Sequence, residues 1–255
     1  MDDFISVAVI MTESVRLAKR LAEILPCSRR QAELYIEGGW VSVDGQVVEV
    51  VGYRVTAEQQ VSLAAEANID ELVPVTIVLH QPAGVDAGEG EHAHAGFLRQ
   101  WISSEQQSDS DKSGLVLLQR HLRDLRMLLP LKLDASGMTV LSQDWRVVRK
   151  LTEDAAKVEQ EYVVEVTGEL IPDGLALLNH GLTWNGRPLA PIKVSWQNET
   201  RLRFALKGVQ PGQIRGMCAQ VGLKPVTLRR IRIGRVAMAG LQPGAWRYLL
   251  PNELF

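Results

Sequence analysis

Cysteine is scarce in this sequence, and long apolar runs are absent. The 255 residues include two cysteines, Cys27 and Cys218, which are too few for a disulfide framework or a cysteine-rich zinc site. No stretch approaches the roughly 20 consecutive apolar residues that a membrane-spanning helix needs. The N-terminal residues begin with acidic side chains and lack the basic start and cleavage site of a secretory signal peptide. We therefore expect a cytoplasmic protein with no membrane partner.

Several common site motifs are also missing. The sequence contains no Walker motif, no G-x-G-x-x-G and no G-x-S-x-G, so the usual phosphate loops and the hydrolase nucleophile elbow are excluded. His92 and His94 lie near Glu89 and Glu91, but a third well-spaced ligand is lacking, and we predict no metal site. The composition, with 46% apolar and 23% charged residues, is that of a globular protein.

Negative charge is missing from one long segment. Residues 200–252 hold ten lysines or arginines and no acidic residue, whereas residues 55–111 hold ten acidic residues and one basic residue, Arg99. The net charge of −2 hides this asymmetry. Because salt screens charges over roughly 8–10 Å, a polyanion responds to the local surface and not to the sum. The basic segment indicates either a polyanion-binding surface or a solvated basic face.

The first helix of a small N-terminal module is predicted within "ESVRLAKRLAEIL". Four apolar residues recur at helical spacing and predict its buried stripe: Leu17, Leu21, Ile24 and Leu25. Three cations at spacings of three and four residues predict a basic face on the same helix: Arg16, Lys19 and Arg20.

A second helix is predicted in "CSRRQAELYIEGG". Ser28 and Gln31 form the pattern of a capping box, and Gly38 supplies the stop signal. Arg29 and Arg30 fall in the first turn, where backbone N–H groups have no intrahelical partner. A helix N-terminus beside several guanidinium groups is a good phosphate-binding site.

The order of elements indicates an α+β chain with a largely antiparallel sheet. Asp44 and Gly45 predict a hairpin turn in the first module, and the acidic residues 64–73 are typical of a linker. From residue 74 onward, short strands and helices alternate with hairpin-length connections. Residues 86–114 are polar and rich in small side chains, and we expect a mobile excursion there. The predicted domains are residues 1–63 and 74–255.

One aspartate lies between two short apolar runs in "LKLDASGMTVLSQD", residues 131–144. Leu131 and Leu133 on one side, and Met138 and Val140 on the other, are typical of strands. Asp134 lies where the chain is predicted to turn between them, and Asp near Gly is ordinary turn chemistry. From local pattern alone, Asp134 is either a turn residue or a carboxylate at the mouth of a site.

Tyr162 and Arg215 also have two interpretations each. Tyr162 begins the apolar strand "YVVEV", where a core or edge tyrosine is the structural interpretation. Arg215 in "GQIRGM" lies near a helix start and could be a surface cation.

The N-terminal module resembles a known RNA-binding domain. "VRLAKRLAEILPCSRRQAELYIEGGWVSVDGQVV" is similar to the S4-type domain, also called the alpha-L motif, named after a ribosomal protein. The match covers about fifty residues, and Ser-Arg-Arg-Gln-Ala followed by Gly-x-Val-x-Val-Asp-Gly is fairly specific. The resemblance implies that the two-helix face binds structured RNA through Arg16, Lys19, Arg20, Arg29 and Arg30.

The rest of the chain resembles the bacterial pseudouridine synthases that modify small-subunit or large-subunit ribosomal RNA. The family order is Asn-Lys-Pro, Gly-Arg-Leu-Asp, Lys-x-Tyr and Gln-Ile-Arg-Arg-Met, followed by an Arg-Ile stretch and a Gly-x-Trp-Arg end. This chain has "HQPAG", "LKLD", "QEY" and "QIRGM" in that order, then "LRRIRIG" and "PGAWRYLLPNEL". The resemblance extends over nearly all of residues 74–255.

The resemblance implies a distinct role for each site residue. Asp134 matches the nucleophile, which attacks either the ribose anomeric carbon or the uracil ring. Arg215 matches the arginine that pairs with it, and Tyr162 the aromatic residue that stacks on the flipped uracil. Lys132 and Gln213 match positions expected to contact RNA. The implied enzyme is a monomeric isomerase that uses no cofactor or metal and acts on ribosomal RNA, with transfer RNA as an alternative substrate.

The chain also departs from the family pattern. Residues that are neutral or shorter replace cations of the pattern at five positions: Gln81, Lys132, Gln160, Gly212 and Gly216. We expect these changes to remove positive charge near an RNA-facing site. Because Asp134, Tyr162 and Arg215 are retained, an active synthase is favoured. The alternatives are an inactive RNA-binding relative that acts in ribosome assembly and an unrelated protein whose basic half contacts another protein.

Overall fold

The structure, a computed structural model, describes residues 14–69, 73–85 and 95–255. These residues form two compact units. Unit 1 comprises the described residues up to Val73 together with Leu118–Arg123, and unit 2 comprises those of Pro74–Leu117 and Asp124–Phe255. The domain boundaries expected from the sequence stay a prediction. None of the helices in the described part of the chain is long and apolar enough to cross a membrane.

Unit 1 contains two helices, five short strands and one 3-10 turn. They are β1 (Val15–Arg16), α1 (Leu17–Ile24), α2 (Arg29–Glu37), β2 (Val41–Val43), β3 (Gln46–Val47), β4 (Arg54–Val55), β5 (Val61–Leu63) and the 3-10 turn Gln119–Leu122. Strands β3, β2 and β5 form one small antiparallel sheet, and β1 pairs with β4.

The local signals in unit 1 are confirmed. Ser28 accepts a hydrogen bond from the backbone N–H of Gln31 at 3.2 Å, and the Gln31 side chain closes the capping box with the Ser28 N–H at 2.8 Å. Asp44 and Gly45 both have positive φ, 50° and 80°, and form the two-residue turn between β2 and β3.

The predicted first helix is shorter than expected. Helix α1 begins at Leu17, so Arg16 is its N-cap residue in extended backbone and not part of a helical face. Leu17 and Leu21 are buried, but Ile24 is 52% exposed at the end of the helix, so its place in the buried stripe was predicted wrongly.

The polar segment before residue 114 is partly regular. It carries helix α3 (Ala95–Trp101) and the 3-10 turn Ser104–Gln106, so the expectation of a mobile excursion is wrong for this part. The Trp246 Nε1–H donates to the Ser103 carbonyl at 2.8 Å. His92 and His94, for which we predict no metal site, lie outside the described residues.

Unit 2 contains most of the secondary structure. In chain order, β6 (Thr76–Gln81) precedes α3 and the 3-10 turn Ser104–Gln106. The elements that follow are β7 (Arg126–Leu128), β8 (Ser136–Ser142), α4 (Trp145–Thr152), the 3-10 turn Ala155–Lys157, β9 (Glu159–Gly168), α5 (Gly174–Asn179), β10 (Thr183–Trp184), β11 (Arg187–Pro188), β12 (Lys193–Trp196), β13 (Arg201–Lys207), α6 (Gln213–Gln220), β14 (Leu223–Ile233), β15 (Val236–Ala237) and β16 (Trp246–Tyr248).

Nine of these strands form one mixed sheet. Its order is β12-β13-β9-β14-β8-β6-β16, with β15 beside β14 and β7 beside β8. Within the described residues, β14 and β8 run parallel and the other neighbours antiparallel. The predicted α+β fold with a largely antiparallel sheet is confirmed.

The parallel contact between β8 and β14 depends on a glycine. Gly137 pairs with Arg230 and has a φ of 110°, a backbone conformation that residues with a Cβ rarely adopt. A Cβ at this position would lie 2.2 Å from the Arg230 carbonyl oxygen. The two backbones can approach closely here because the side chain is absent.

Helix α6 packs on the face of the sheet that carries Tyr162. Ile214 and Met217 of α6 belong to one buried cluster with Tyr162, Val164 and Phe204 of strands β9 and β13. Burial of this apolar face fixes the start of α6 over the sheet. The packing therefore brings the first turn of α6 near β9.

We predict that Gly137→Ala is strongly destabilising. The substitution adds a steric clash with the β14 backbone to the strain of a positive φ. The loss in the free energy of unfolding should therefore exceed the loss from backbone strain alone by about 1–3 kcal/mol. Gly240→Ala is the matched control, because Gly240 also has a positive φ, 75°, but its Cβ would meet no atom within 4 Å. Urea unfolding of both variants checks this, and equal losses would contradict the role of the close approach.

Candidate active site

Asp134 lies in the loop between β7 and β8, two residues before β8 begins. The expected turn is confirmed, since the Ala135 N–H donates to the Lys132 carbonyl at 3.0 Å. The Gly84 N–H ties the same loop to the turn that follows β6 by donating to the Leu133 carbonyl at 2.7 Å. Leu131 and Leu133 were predicted as strand residues, and this is wrong because both belong to the loop.

Arg215 projects from the first turn of α6 onto this loop. Its Nε–H donates to Oδ2 of Asp134, and its Nη2 donates to the Asp134 carbonyl oxygen at 3.1 Å. Its Nη1 donates to the Pro225 carbonyl oxygen at 3.2 Å, which anchors the guanidinium to the start of β14. The Asp134 side chain keeps 53% of its surface exposed. Arg215 therefore orients a carboxylate that a ligand can still reach.

Tyr162 lies on β9 with its ring in the wall of the same cavity. The side chain is buried, and its hydroxyl donates to Oε1 of Gln160 at 2.8 Å. The structural interpretation of Tyr162 as a buried strand residue is correct, and the same residue lines the cavity beside Asp134. Its catalytic role stays a prediction.

These residues surround a cavity of about 400 Å³. Its lining residues come from the Asp134 loop, strands β9 and β14 and the start of α6, and include Lys132, Asp134, Gln160, Tyr162, Arg215 and Arg230. The volume falls in the range of small-ligand pockets, roughly 300–1,000 Å³. The structure thus brings together the three residues that are far apart in sequence. Within the described residues, no group of acidic, histidine and cysteine side chains could hold a metal ion.

Comparison with known proteins agrees with the motifs. The S4 domain model matches residues 15–61. "Ribosomal large subunit pseudouridine synthase B" of Bacillus subtilis is 26% identical over 94% of this chain and 93% of its own length. "Dual-specificity RNA pseudouridine synthase RluF" of Escherichia coli K12 is 26% identical over 94% of this chain and 77% of its own length. "Ribosomal small subunit pseudouridine synthase A" of Vibrio cholerae is 25% identical over 94% and 98%.

The chain is similar to bacterial RNA pseudouridine synthases over nearly its whole length. A crystal structure of a pseudouridylate synthase has a similar fold, with a TM-score of 0.55 at 20% identity over 92% of this chain and 96% of that one. The resemblance inferred from the motifs and the expected isomerase class are confirmed.

Two departures from the synthase pattern lie in the buried part of β6. Gln81 is fully buried, where its Nε2 donates to the Val85 carbonyl at 3.0 Å and its Oε1 accepts from Thr139. His80 is also buried, and burial lowers its pKa from the usual value. For Gln81, the expectation that the change removes positive charge near an RNA-facing site is therefore wrong, because its side chain is fully buried.

The two glycines of α6 accommodate a tryptophan that sequence reasoning missed. A Cβ at Gly216 would lie 1.9 Å from Cζ3 of Trp184, and one at Gly212 would lie 3.6 Å from the same ring. The Trp184 ring therefore covers the helix side where the synthase pattern has arginines. Glycines four residues apart on one helix were the signal that a bulky group lies against them.

The Gln213 side chain lies where RNA cannot contact it. Its side chain is buried, its Oε1 accepts from the Gln210 N–H at 3.0 Å, and its Nε2 contacts the Met217 sulfur. The predicted RNA contact at Gln213 is corrected to a structural role at the start of α6. Lys132, by contrast, is exposed at the cavity rim.

The basic C-terminal segment does not form a uniformly basic surface. Arg201 pairs with Glu165 at 3.6 Å, and Arg203 and Arg232 both contact Glu161. Burial raises the pKa of Glu161, but hydrogen bonds from Arg232 and Arg203 outweigh it and hold this pKa below its usual range. Acidic residues of β9, outside the basic segment, therefore neutralise part of it.

The five predicted RNA contacts of unit 1 are accessible to different extents. Arg16, Lys19, Arg29 and Arg30 are exposed, and Arg20 is half-buried. Lys19 and Arg20 approach Glu23 at 3.8 and 3.9 Å, distances at which exposed ion pairs contribute little.

Proposed function

We propose that this protein is an RNA pseudouridine synthase that isomerises a specific uridine of ribosomal RNA, with Asp134 as its nucleophile. The observation that carries the proposal is the Asp134–Arg215 pair at a cavity whose wall contains Tyr162. The relatives by name supply the reaction class, and the paired residues supply a chemical route. The inactive RNA-binding alternative has no specific observation in its favour.

Asp134 suits a step in which the nucleophile forms a bond and later leaves. In the ribose route, a carboxylate oxygen bonds to the anomeric carbon while the bond to uracil N1 breaks and the uracil departs with the electron pair. The uracil then turns, and its carbon 5 bonds to the anomeric carbon as the carboxylate leaves again. Carbon 5 loses its proton and N1 gains one, so the proton count is unchanged. The route through the uracil ring uses the same carboxylate. Either route ends in an isomer, so neither consumes a co-reactant.

Arg215 keeps the carboxylate in place during these steps. Contacts from one guanidinium to the Asp134 side chain and backbone hold the turn and the carboxylate together. A charge-assisted hydrogen bond is stronger than a neutral one, and it becomes stronger still when a bound nucleotide excludes water.

Tyr162 is proposed to stack on the flipped uracil and to assist removal of the proton from carbon 5. Flipping a base costs a few kcal/mol, and a stack returns about 1–3 kcal/mol. The ring is held by the packing of β9 against α6, so little of its freedom remains to be lost on binding.

Unit 1 is proposed to bind structured RNA. Arg29 and Arg30 lie exposed in the first turn of α2, where backbone N–H groups also face an approaching phosphate. The relative named RluF is described as a dual-specificity RNA pseudouridine synthase. Transfer RNA stays the alternative substrate of the present proposal.

Replacing Asp134 by Asn should abolish pseudouridine formation and leave RNA affinity within about threefold, because an amide keeps the shape but is a far weaker nucleophile. Tritium release from ribosomal RNA labelled at uridine carbon 5 measures this. Asp173→Asn is the matched control, since Asp173 is an exposed turn residue with a φ of 58° that Asn also tolerates. Appreciable turnover by Asp134→Asn would exclude Asp134 as the nucleophile.

Tyr162→Phe should separate stacking from the role of the hydroxyl. The ring stays, and Gln160 Oε1 keeps its bond from Arg230, so RNA affinity and melting temperature should change little while product formation slows or stops. Tyr162→Ala should also lose the stack, about 1–3 kcal/mol, and leave a cavity. Turnover, affinity and melting temperature of both variants test this, and full-speed product from the Phe variant would remove the hydroxyl from the mechanism.

Arg29→Ala combined with Arg30→Ala should flatten the salt dependence of RNA binding. Each lost phosphate contact lowers the log–log salt slope by roughly 0.7–0.9, so the pair should lower it by about 1.4–1.8. Arg149→Ala with Lys150→Ala, which removes two cations from helix α4, is the control of equal charge. Filter binding at several salt concentrations gives the slopes, and equal slopes for the two double variants would refute the docking of α2 on RNA.

A further inference from the structure

Arg230 is a buried cation in the wall of the active-site cavity. It is 2% exposed, and its Nε donates to the Met138 carbonyl at 2.8 Å, its Nη2 to the Leu129 carbonyl and its Nη1 to Oε1 of Gln160 at 3.1 Å. Within the described residues, no carboxylate forms an ion pair with it. Burying a charge is costly, and buried charges are normally paired. A guanidinium kept here without an acidic partner needs a reason.

The sheet register aims Arg230 into the cavity. Arg230 pairs with Gly137 of β8 on one side and with Tyr162 of β9 on the other, so its side chain shares a face with Tyr162. A bulge follows directly. Arg232, two residues after Arg230, pairs with Glu161, which is only one residue before Tyr162 in β9. The bulge turns Arg232 to the opposite face, where it contacts Glu159 and Glu161.

One amide oxygen receives two hydrogen bonds at this wall. Oε1 of Gln160 accepts from the Tyr162 hydroxyl at 2.8 Å and from Arg230 Nη1 at 3.1 Å. Arginine has donors and no acceptor, so it determines which end of the amide faces inward. With the oxygen inward, the Tyr162 hydroxyl has to donate to Gln160. Its lone pairs are then left for the cavity.

We propose that Arg230 is a positioning residue that acts through Gln160 to hold the Tyr162 hydroxyl as an acceptor toward the bound nucleotide. This inference rests on the proposed function. A hydroxyl that donates to Gln160 presents a lone pair toward carbon 5. That lone pair can accept a hydrogen bond from the water molecule that removes the carbon-5 proton. Arg230 and Gln160 take no proton themselves. Water takes the carbon-5 proton, the bonding electrons remain in the uracil ring, and N1, released when the glycosidic bond broke, takes up one proton in exchange.

The arrangement also accounts for the departure at position 160. The synthase pattern has a lysine there, and in this chain the cation at the same wall is Arg230. A neutral acceptor at 160 is what Arg230 and Tyr162 both require, because each is a donor in the contact. The logic is that of a catalytic group oriented by a second residue, which is fixed by a third.

The test compares Arg230→Met, Gln160→Met and the double variant by single-turnover tritium release, RNA affinity and melting temperature. Each single substitution is expected to slow release by about tenfold or more with affinity within about threefold, which is the signature of a lost transition-state interaction. Because both act on one hydroxyl, the double variant should be no slower than the slower single one. Gln160→Glu, which presents an oxygen whichever way it turns, should release tritium faster than Gln160→Met by about tenfold.

Arg229→Met is the control, since Arg229 is the exposed cation next along β14. If Arg230→Met releases tritium at the wild-type rate, the proposal is overturned. It is also overturned if the double variant is slowed by the product of the two single-variant factors. If Arg230→Met does not fold, Gln160→Met decides the question, because that variant keeps Arg230. Tritium release by Gln160→Met at the wild-type rate would then overturn the proposal. Absence of release by the wild-type protein would instead refute the proposed function.

Discussion

The close approach of β14 to β8 at Gly137 determines the geometry of the whole site. A Cβ at this position would overlap the backbone of Arg230, so the parallel pairing of the two strands exists only with glycine there. Asp134 precedes β8, Arg215 lies on the helix that leads into β14, and Tyr162 is the partner of Arg230 on β9. Three groups that are distant in sequence meet because one contact joins the strands that carry them.

Sequence reasoning succeeded where the cause of a structure lies within a few residues. The capping box of Ser28 and Gln31 and the turn at Asp134 are of this kind, because a side chain and a backbone group a few residues away decide them. The grouping of Asp134, Tyr162 and Arg215 came from a resemblance, since nothing local links them. The bulge after Arg230 was not predictable, because the alternation in "LRRIRIG" places Arg230 and Arg232 on one face. The burial of Gln213 and the Trp184 ring over Gly216 likewise depend on segments far along the chain.

Counts of charge along the chain did not describe the charge of the surface. Arginines of the basic segment meet glutamates that β9 brings beside them, and Arg230 is buried altogether. The cations that stay exposed near the chemistry are few, with Lys132 at the cavity rim. In the proposed function, RNA affinity therefore depends mainly on the exposed arginines of α2, and the residues at the cavity act on the reaction.

In the proposed function, Asp134 forms a covalent bond during the reaction. Ribosomal RNA containing 5-fluorouridine tests it, because fluorine at carbon 5 cannot leave as a proton and the reaction cannot finish in the normal way. After denaturation, mass spectrometry of tryptic peptides locates any attached nucleotide. We expect attachment to the peptide of residues 133–146, at Asp134. Attachment to a different peptide, by an enzyme that releases tritium from ordinary uridine, would contradict it.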